Sequence, residues 1–336
     1  MRKTALIVSA IALALIIVAG VVAWQRYIIK QPIQGKKVFQ VGLLQMAPVV
    51  SVNMDGFRAG MDELGYRDGE NVIYTYRDAQ GDLDKLKVYA KELTDMKPDM
   101  IFVNTSPATL AIKDATQGTG IPVVFSMVAD PLSAGLVASS QSSGNNLTGT
   151  SCAYIEIASK RIEVLTEVAP KAKKVLVFYR PEDKSGGACT DKIVVKGKEL
   201  GLEIIPFKIS KKEDIEEKLK TLVPGEVDAV MDPGDSMVSS AVDTIIKYTN
   251  NLKIPYMALS KGEVDKGAVV GYAVDYADLG KQTSLIANQV LAGIKPTDIP
   301  FEQPRRWYFS LNLKTAKDNG LEIPQNVIEK ADYVVR

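Results

Sequence analysis

Hydrophobic positions along the chain fall into two regimes. Residues 5–23 (ALIVSAIALALIIVAGVVA) run for 19 residues without a charge. A soluble core helix of that length would show a polar face, and this one offers only Ser9, so the segment is read as entering a membrane. From Val38 onward short apolar runs alternate with amphipathic stretches, the pattern of βαβ units around a parallel sheet. Strands are predicted at 38–44, 72–77, 100–104, 122–126 and 147–150, with helices at 54–64, 83–96 and 107–117 between them. Gly65 and Lys97-Pro98 supply helix stops, and Pro107 suits a first helical turn, where its missing N–H costs nothing. The pattern restarts after Ser151. A helix at 155–168 is followed by strands at 174–179, 202–207, 227–231, 254–257 and 268–274, with helices at 191–200, 212–222, 236–250 and 277–292 and a short helical tail.

The expected fold is therefore α/β, two doubly wound parallel-sheet lobes joined by a hinge and preceded by an N-terminal hydrophobic helix. Crossovers between lobes are expected at 148–154 and near 274–276. The corresponding division is 1–23 as signal peptide or membrane anchor, 38–150 with 275–304 as the first lobe, and 151–274 with 305–336 as the second. Ligands of open α/β sheets bind beyond the carboxyl ends of the strands, so two facing lobes would share a cleft that closes on a small molecule.

The N-terminal segment keeps two readings. Arg2 and Lys3 with Val21-Val22-Ala23 before Trp24 fit a removable signal peptide. The 19-residue length and the flanking Trp24 and Tyr27 equally fit a span with interfacial anchors. Either way the globular part is expected outside the cytoplasm, periplasmic or extracytoplasmic.

Composition then removes function classes. With 41 Lys+Arg against 40 Asp+Glu, the formal charge of +1 does not suit a nucleic-acid binder. The chain has no His, which excludes Ser-His-Asp and Cys-His catalysis and the commonest zinc ligand. Two Cys make no cysteine-rich metal site, and no Walker or GxGxxG pattern is present. No enzyme activity, metal or cofactor is expected.

Candidate chemistry lies in the loops after the strands. Gln45-Met46-Ala47-Pro48 follows the first strand. Thr105-Ser106-Pro107-Ala108 follows the third, where free N–H groups, two hydroxyls and the positive end of a helix suit a carboxylate. The competing role for Ser106 is an N-cap. Asp130 and Asp275 could pair with an ammonium group or serve as turn and cap residues. Met46, Met127, Tyr154, Tyr179 and Tyr276 could form an apolar wall or belong to the core, and Asp232 joins the list from the loop Asp232-Pro233-Gly234-Asp235-Ser236. Cys152 and Cys189 are either two free thiols or a disulfide, which an exported chain favours.

Several phrases together resemble one family. They include Gly56-Phe57-Arg58-Ala59-Gly60-Met61-Asp62-Glu63-Leu64-Gly65-Tyr66, Lys97-Pro98-Asp99, Ile121-Pro122-Val123-Val124-Phe125, Asp130-Pro131, Gly135-Leu136-Val137, Asn146-Leu147-Thr148-Gly149 and Gly271-Tyr272-Ala273-Val274-Asp275-Tyr276. Across 38–334 the chain resembles ABC transporter substrate-binding proteins of the tryptophan and tyrosine-binding type. The resemblance implies a type I periplasmic-binding-protein fold, a monomer that captures a small amino-acid-like ligand and passes it to an ABC permease. It also implies that Thr105 to Ala108, Asp130 and Asp275 hold an amino-acid backbone. Tyr179-Arg180-Pro181 departs from the family's more typical Tyr-Asn-Pro: Arg180 either points outward into solvent or places a cation at the cleft, where the ligand would carry an extra acid group or differ altogether from an aromatic amino acid. The rival function is a membrane-anchored sensor domain that signals to a partner.

Overall fold

A computed structural model describes residues 37–336. Among them no helix is long and apolar enough to cross a membrane, and the predicted apolar helix at 5–23 lies outside the described residues.

The first sheet uses β1 (Phe39–Gln45), β2 (Val72–Asp78), β3 (Met100–Asn104), β4 (Val123–Val128) and β5 (Leu147–Ser151) in the order β2-β1-β3-β4-β5. Every pairing in it is parallel. Alternation along the strands sorts the side chains onto two faces. Val41, Leu43, Met100, Phe102 and Val124 pack against Met54, Phe57 and Met61 of α1 (Ser51–Glu63). Ile101, Val103, Val123 and Phe125 pack against α2 (Leu83–Asp95) and α3 (Ser106–Ala115) on the other face. Each such fully buried Phe, Leu or Ile contributes roughly 1.5 to 3 kcal/mol.

The second sheet repeats the winding. After α4 (Tyr154–Val168) come β6 (Lys174–Tyr179), α5 (Lys184–Glu199), β7 (Glu203–Lys208), α6 (Lys212–Thr221), β8 (Ala229–Met231), the short α7 (Ser236–Ser240) and α8 (Val242–Leu252). Then follow β9 (Tyr256–Ala258), α9 (Lys261–Asp265) and β10 (Val270–Ala273). These strands lie in the order β7-β6-β8-β9-β10, the same order as the first sheet, and all pair in parallel.

Four details differ from the sequence expectation. Helix α5 starts at Lys184 rather than 191, because Asp183 accepts from the N–H groups of Ser185 and Gly186 and caps it there. The helix expected at 236–250 is broken at Ala241 into α7 and α8. Helix α9 was not expected. The C-terminal tail, expected to be helical, also supplies two strands: β11 (Tyr308–Asn312) pairs antiparallel with β10 and carries β12 (Tyr333–Val335) on its far edge, with α11 (Leu313–Asp318) and α12 (Gln325–Ile328) between.

Helix α10 (Tyr276–Leu291) follows the second sheet in sequence yet packs on the first, where Ile286 and Val290 complete the α1 face. Its backbone touches α1 directly. A Cβ on Gly280 would lie 2.0 Å from the Asn53 carbonyl oxygen, and one on Gly56 would lie 2.1 Å from that of Ala277. Buried Asn53 reinforces the contact, donating from Nδ2 to the Tyr276 carbonyl and to Ser126 Oγ, each at 3.0 Å. The chain consequently crosses between sheets after Ser151, after Ala273 and again after Glu302, whose backbone pairs with Gly149 and Ser151. Trp307 follows this third crossing, half-buried against the second sheet's core with its indole N–H buried and unpartnered.

Under the carboxyl ends of β8 and β9 lies Arg161 of α4, fully buried, donating from Nη1 to the Asp232 carbonyl at 2.6 Å and from Nη2 to that of Ala258 at 3.1 Å. Two buried carboxyls offset its charge. Burial, then the neighbouring Glu263 charge, pushes Asp232 up to about 7 against the partial relief that Arg161 gives. Glu263 is likewise raised by burial.

Two outcomes follow from this packing. Gly280→Ala should lower unfolding stability by about 2 to 3 kcal/mol, because the added methyl meets backbone and not a movable side chain; an unchanged urea midpoint would show that α1 and α10 can separate. For Asp232 the folded value lies above the unfolded one of roughly 3.9, so its contribution is full below pH 4 and is lost as pH rises through about 7. Asp232→Asn keeps the acceptor for Gly234 N–H and cannot ionise. Raising pH from 5 to 8 should therefore shift the stability difference toward the variant by about 2 kcal/mol, measured by urea denaturation at each pH.

Candidate functional site

The carboxyl ends of both sheets open onto one cavity of about 550 Å³. Its first-sheet side is built from Met46, Ala47, Pro48 and Val50 after β1, Thr105, Ser106 and Pro107 after β3, and Met127 and Ala129 at the end of β4. This is the point where strand order reverses between β1 and β3, the usual ligand position in such sheets. The second-sheet side contributes Arg180, Asp183, Lys212, Gly234, Ser236, Met237 and Glu263. At the crossings Tyr154 and Tyr276 join through their hydroxyls at 2.7 Å, both buried, and burial drives both phenols well above their ordinary range.

The loop at Thr105 is strained. Thr105 has φ 75° and ψ 152°, a region held almost entirely by glycine, and Met127 and Ala153 also have positive φ. Such strain persists only where the surroundings impose it; here the Thr105 N–H is fixed to the Ser126 carbonyl at 3.0 Å. Thr105, not Ser106, occupies the N-cap position of α3, and its side chain makes no capping bond. Its Oγ1 is buried without a partner. Ser106 Oγ instead accepts from the Ala129 N–H at 3.3 Å. The first turn of α3 thus presents N–H groups that no capping side chain occupies, together with an unpartnered hydroxyl, at the positive end of a ten-residue helix.

Across the cavity Glu263 is 4% exposed. One carboxyl oxygen accepts from the N–H groups of Leu259 and Ser260 at 2.7 and 2.8 Å, and among the described residues nothing donates to the other. This residue carried a sequence signal, Ser260-Lys261-Gly262-Glu263, but only as the capping box that it does form around α9.

Of the residues expected from sequence, Met46, Thr105, Ser106, Pro107, Met127, Tyr154, Arg180 and Tyr276 line this cavity. The others are placed elsewhere. Gln45 is buried beside β2, donating to Tyr76 Oη at 2.9 Å and Asp78 at 3.2 Å. Ala108 points into the core between β3 and α3. Asp130 accepts from Leu132 N–H, Ser133 N–H and the Ser133 hydroxyl as a turn residue. Asp275 caps α10 through Ala277 and Asp278 N–H and borders a separate groove beside α1. Tyr179 ends β6 outside the cavity wall, and Asp232 is fully buried, accepting from Gly234 N–H at 2.7 Å and Ser239 Oγ at 3.0 Å. The expected disulfide is not formed: Cys152 and Cys189 are buried free thiols, Cys189 inside α5, and burial pushes its thiol up to about 12. Among the described residues no cluster of His, Cys, Asp and Glu could hold a metal ion.

Known proteins of this shape include two that bear on the cavity. A crystal structure of an ABC domain in complex with L-Trp from Streptococcus pneumonia superposes with a TM-score of 0.82 at 25% identity, covering 89% of this chain and all of that one. The ligand-free, open structure of a substrate binding protein with adhesive properties from Clostridium difficile gives 0.67 at 28% identity, covering 89% and 99%. A tyrosine-binding protein of Clostridioides difficile is 31% identical over 267 residues, 79% of this chain and 76% of its own length. The fold is that of type I periplasmic binding proteins. The model of the ABC transporter substrate binding protein family matches residues 43–335, and the chain belongs to that family of solute-binding proteins, which are not enzymes.

Proposed function

We propose that the protein captures an amino acid, aromatic in character, between its two lobes and delivers it to an ABC permease. As a substrate-binding protein of an ABC transporter it works outside the cytoplasm. The observation that carries the ligand class is the pairing of opposite anchors in one cavity: the uncapped start of α3 with the free Thr105 hydroxyl suits a carboxylate, and the free oxygen of buried Glu263 suits an ammonium group. An α-amino acid carries both. Met46, Met127, Tyr154 and Tyr276 supply an apolar and aromatic wall for its side chain. Tyrosine and L-Trp are the ligands in the names of two relatives, which agrees with that wall.

Hinge closure supplies the output. The lobes are assigned to 38–150 with 275–304 and to 151–274 with 305–336, turning about the three crossings. The chain is closer in shape to the L-Trp complex than to the open, ligand-free relative, although it is more identical to the latter, which supports a closed arrangement here. A permease would read the closed form because ligand shifts the population toward it. The protein acts as a monomer, delivered to the outer side of the membrane by residues 5–23 as a cleaved signal or as a tether.

Glu263→Gln tests the ligand class. The amide oxygen can still accept from Leu259 and Ser260, while the charge that would hold an ammonium group, and that helps offset Arg161, is removed. Tyrosine or tryptophan binding by calorimetry, at a temperature where the variant remains folded, should weaken about 10- to 100-fold. Unaltered affinity would remove Glu263 from the site. The wild-type protein should be stabilised by about 2.7 kcal/mol at ligand concentrations 100 times the dissociation constant; no thermal shift with any amino acid would overturn the reading.

A further inference from the structure

Arg180 is held rigidly, yet one of its nitrogens is left over. It follows β6, and its Nε donates to both oxygens of Asp235 at 3.0 and 3.2 Å. Its Nη2 donates to Asp183 at 3.0 Å and to Ser236 Oγ at 3.1 Å, and its backbone N–H donates to Asp235 at 3.0 Å. The two carboxylates are themselves fixed. Asp183 caps α5 through Ser185 and Gly186, and Asp235 caps α7 through Met237. The guanidinium plane is thereby set by two helix starts. Among the described residues nothing accepts from Nη1, while the side chain is 19% exposed and lines the cavity.

Such a group is a preorganised donor that needs no reordering when a ligand arrives. Its charge is already offset. Asp235, whose side chain is fully buried, and Asp183 together outweigh the one guanidinium. A ligand group with a full negative charge would therefore meet two carboxylates behind the donor, whereas a neutral oxygen can accept from Nη1 without that repulsion.

We propose that Arg180 Nη1 is the specificity donor for a neutral oxygen at the distal end of the ligand's side chain, so that the protein selects a phenol over a bare phenyl ring. This rests on the amino-acid reading above. A cavity built to bond such an oxygen leaves a charged donor unpartnered when the oxygen is missing, which is where strong discrimination arises. Tyrosine should bind the full chain about 10- to 100-fold more tightly than phenylalanine, with glutamate weaker than both.

Calorimetric titration of the full chain in mild detergent with tyrosine, phenylalanine and glutamate decides the matter. Equal affinity for tyrosine and phenylalanine, or tightest binding of glutamate, would overturn the assignment of Arg180 while leaving the amino-acid reading intact. Failure of all three to bind, together with the other amino acids, would remove that reading and this one with it. Arg180→Lys keeps the positive charge that Asp183 and Asp235 require but loses the fork that faces two ways. In that variant the tyrosine preference over phenylalanine should shrink to about threefold or less; a preference that survives intact would also overturn the proposal. If the variant does not fold, the wild-type comparison of the two aromatic ligands stands as the deciding measurement.

Discussion

Everything about the cleft depends on the bare backbone contact between α1 and α10. Two helices from opposite ends of the described chain approach until a carbonyl of each sits where the other's Cβ would be, and only Gly56 and Gly280 permit it. That contact, with Asn53 bonded to the Tyr276 carbonyl, draws residues 276–291 back onto the first sheet. The chain must then cross between sheets three times. Parallel sheets with one crossing would make two beads on a string; three crossings side by side make a floor. Tyr154 and Tyr276, bonded through their hydroxyls, are the part of that floor that a ligand would meet.

The cavity above this floor is expensive to maintain. Thr105 holds a backbone conformation that glycine would adopt more easily, and its hydroxyl is buried without a partner. Arg161, Asp232 and Glu263 are taken out of water together, at a cost that mutual attraction repays only where the remaining hydrogen bonds are made. They largely are: Arg161 bonds two carbonyls, Asp232 bonds Gly234 and Ser239, and one Glu263 oxygen bonds two N–H groups. Three atoms of this group stay unpartnered: Arg161 Nε, which is buried beneath the cavity, and Thr105 Oγ1 and the second Glu263 oxygen, which belong to residues of the cavity wall, as expected where stability has been yielded to binding.

Much of the fold was legible in the alternation of apolar runs and amphipathic stretches. Strands β1 to β8 and helices α1, α2, α4, α6 and α10 fall near their expected places, because buried parallel strands and one-sided helices leave strong periodic signals. The C-terminal strands did not, since Tyr308–Asn312 and Tyr333–Val335 become strands only by finding β10 and each other. Site residues followed the same division. Thr105 and Met46 were visible because they sit where a strand ends. Asp130 and Asp275 could not be separated from turn and cap residues, and in the structure Asp130 closes a turn while Asp275 caps α10. Glu263 was hidden for the opposite reason: it satisfies a capping box with one oxygen and keeps the other for the cavity, and a sequence displays only the first of these.

Trp307 gives the molecule an optical consequence. Of the chain's two tryptophans it is the one within the described structure, and it stands directly after the third crossing with its indole N–H shielded but unbonded. Indole emission depends on the polarity and mobility of what surrounds the ring. Were the lobes to turn about the crossings as proposed, the segment that carries this ring would be one of those that bend. The proposed opening and closing of the cleft would then be open to test through an intrinsic fluorophore in the unlabelled protein.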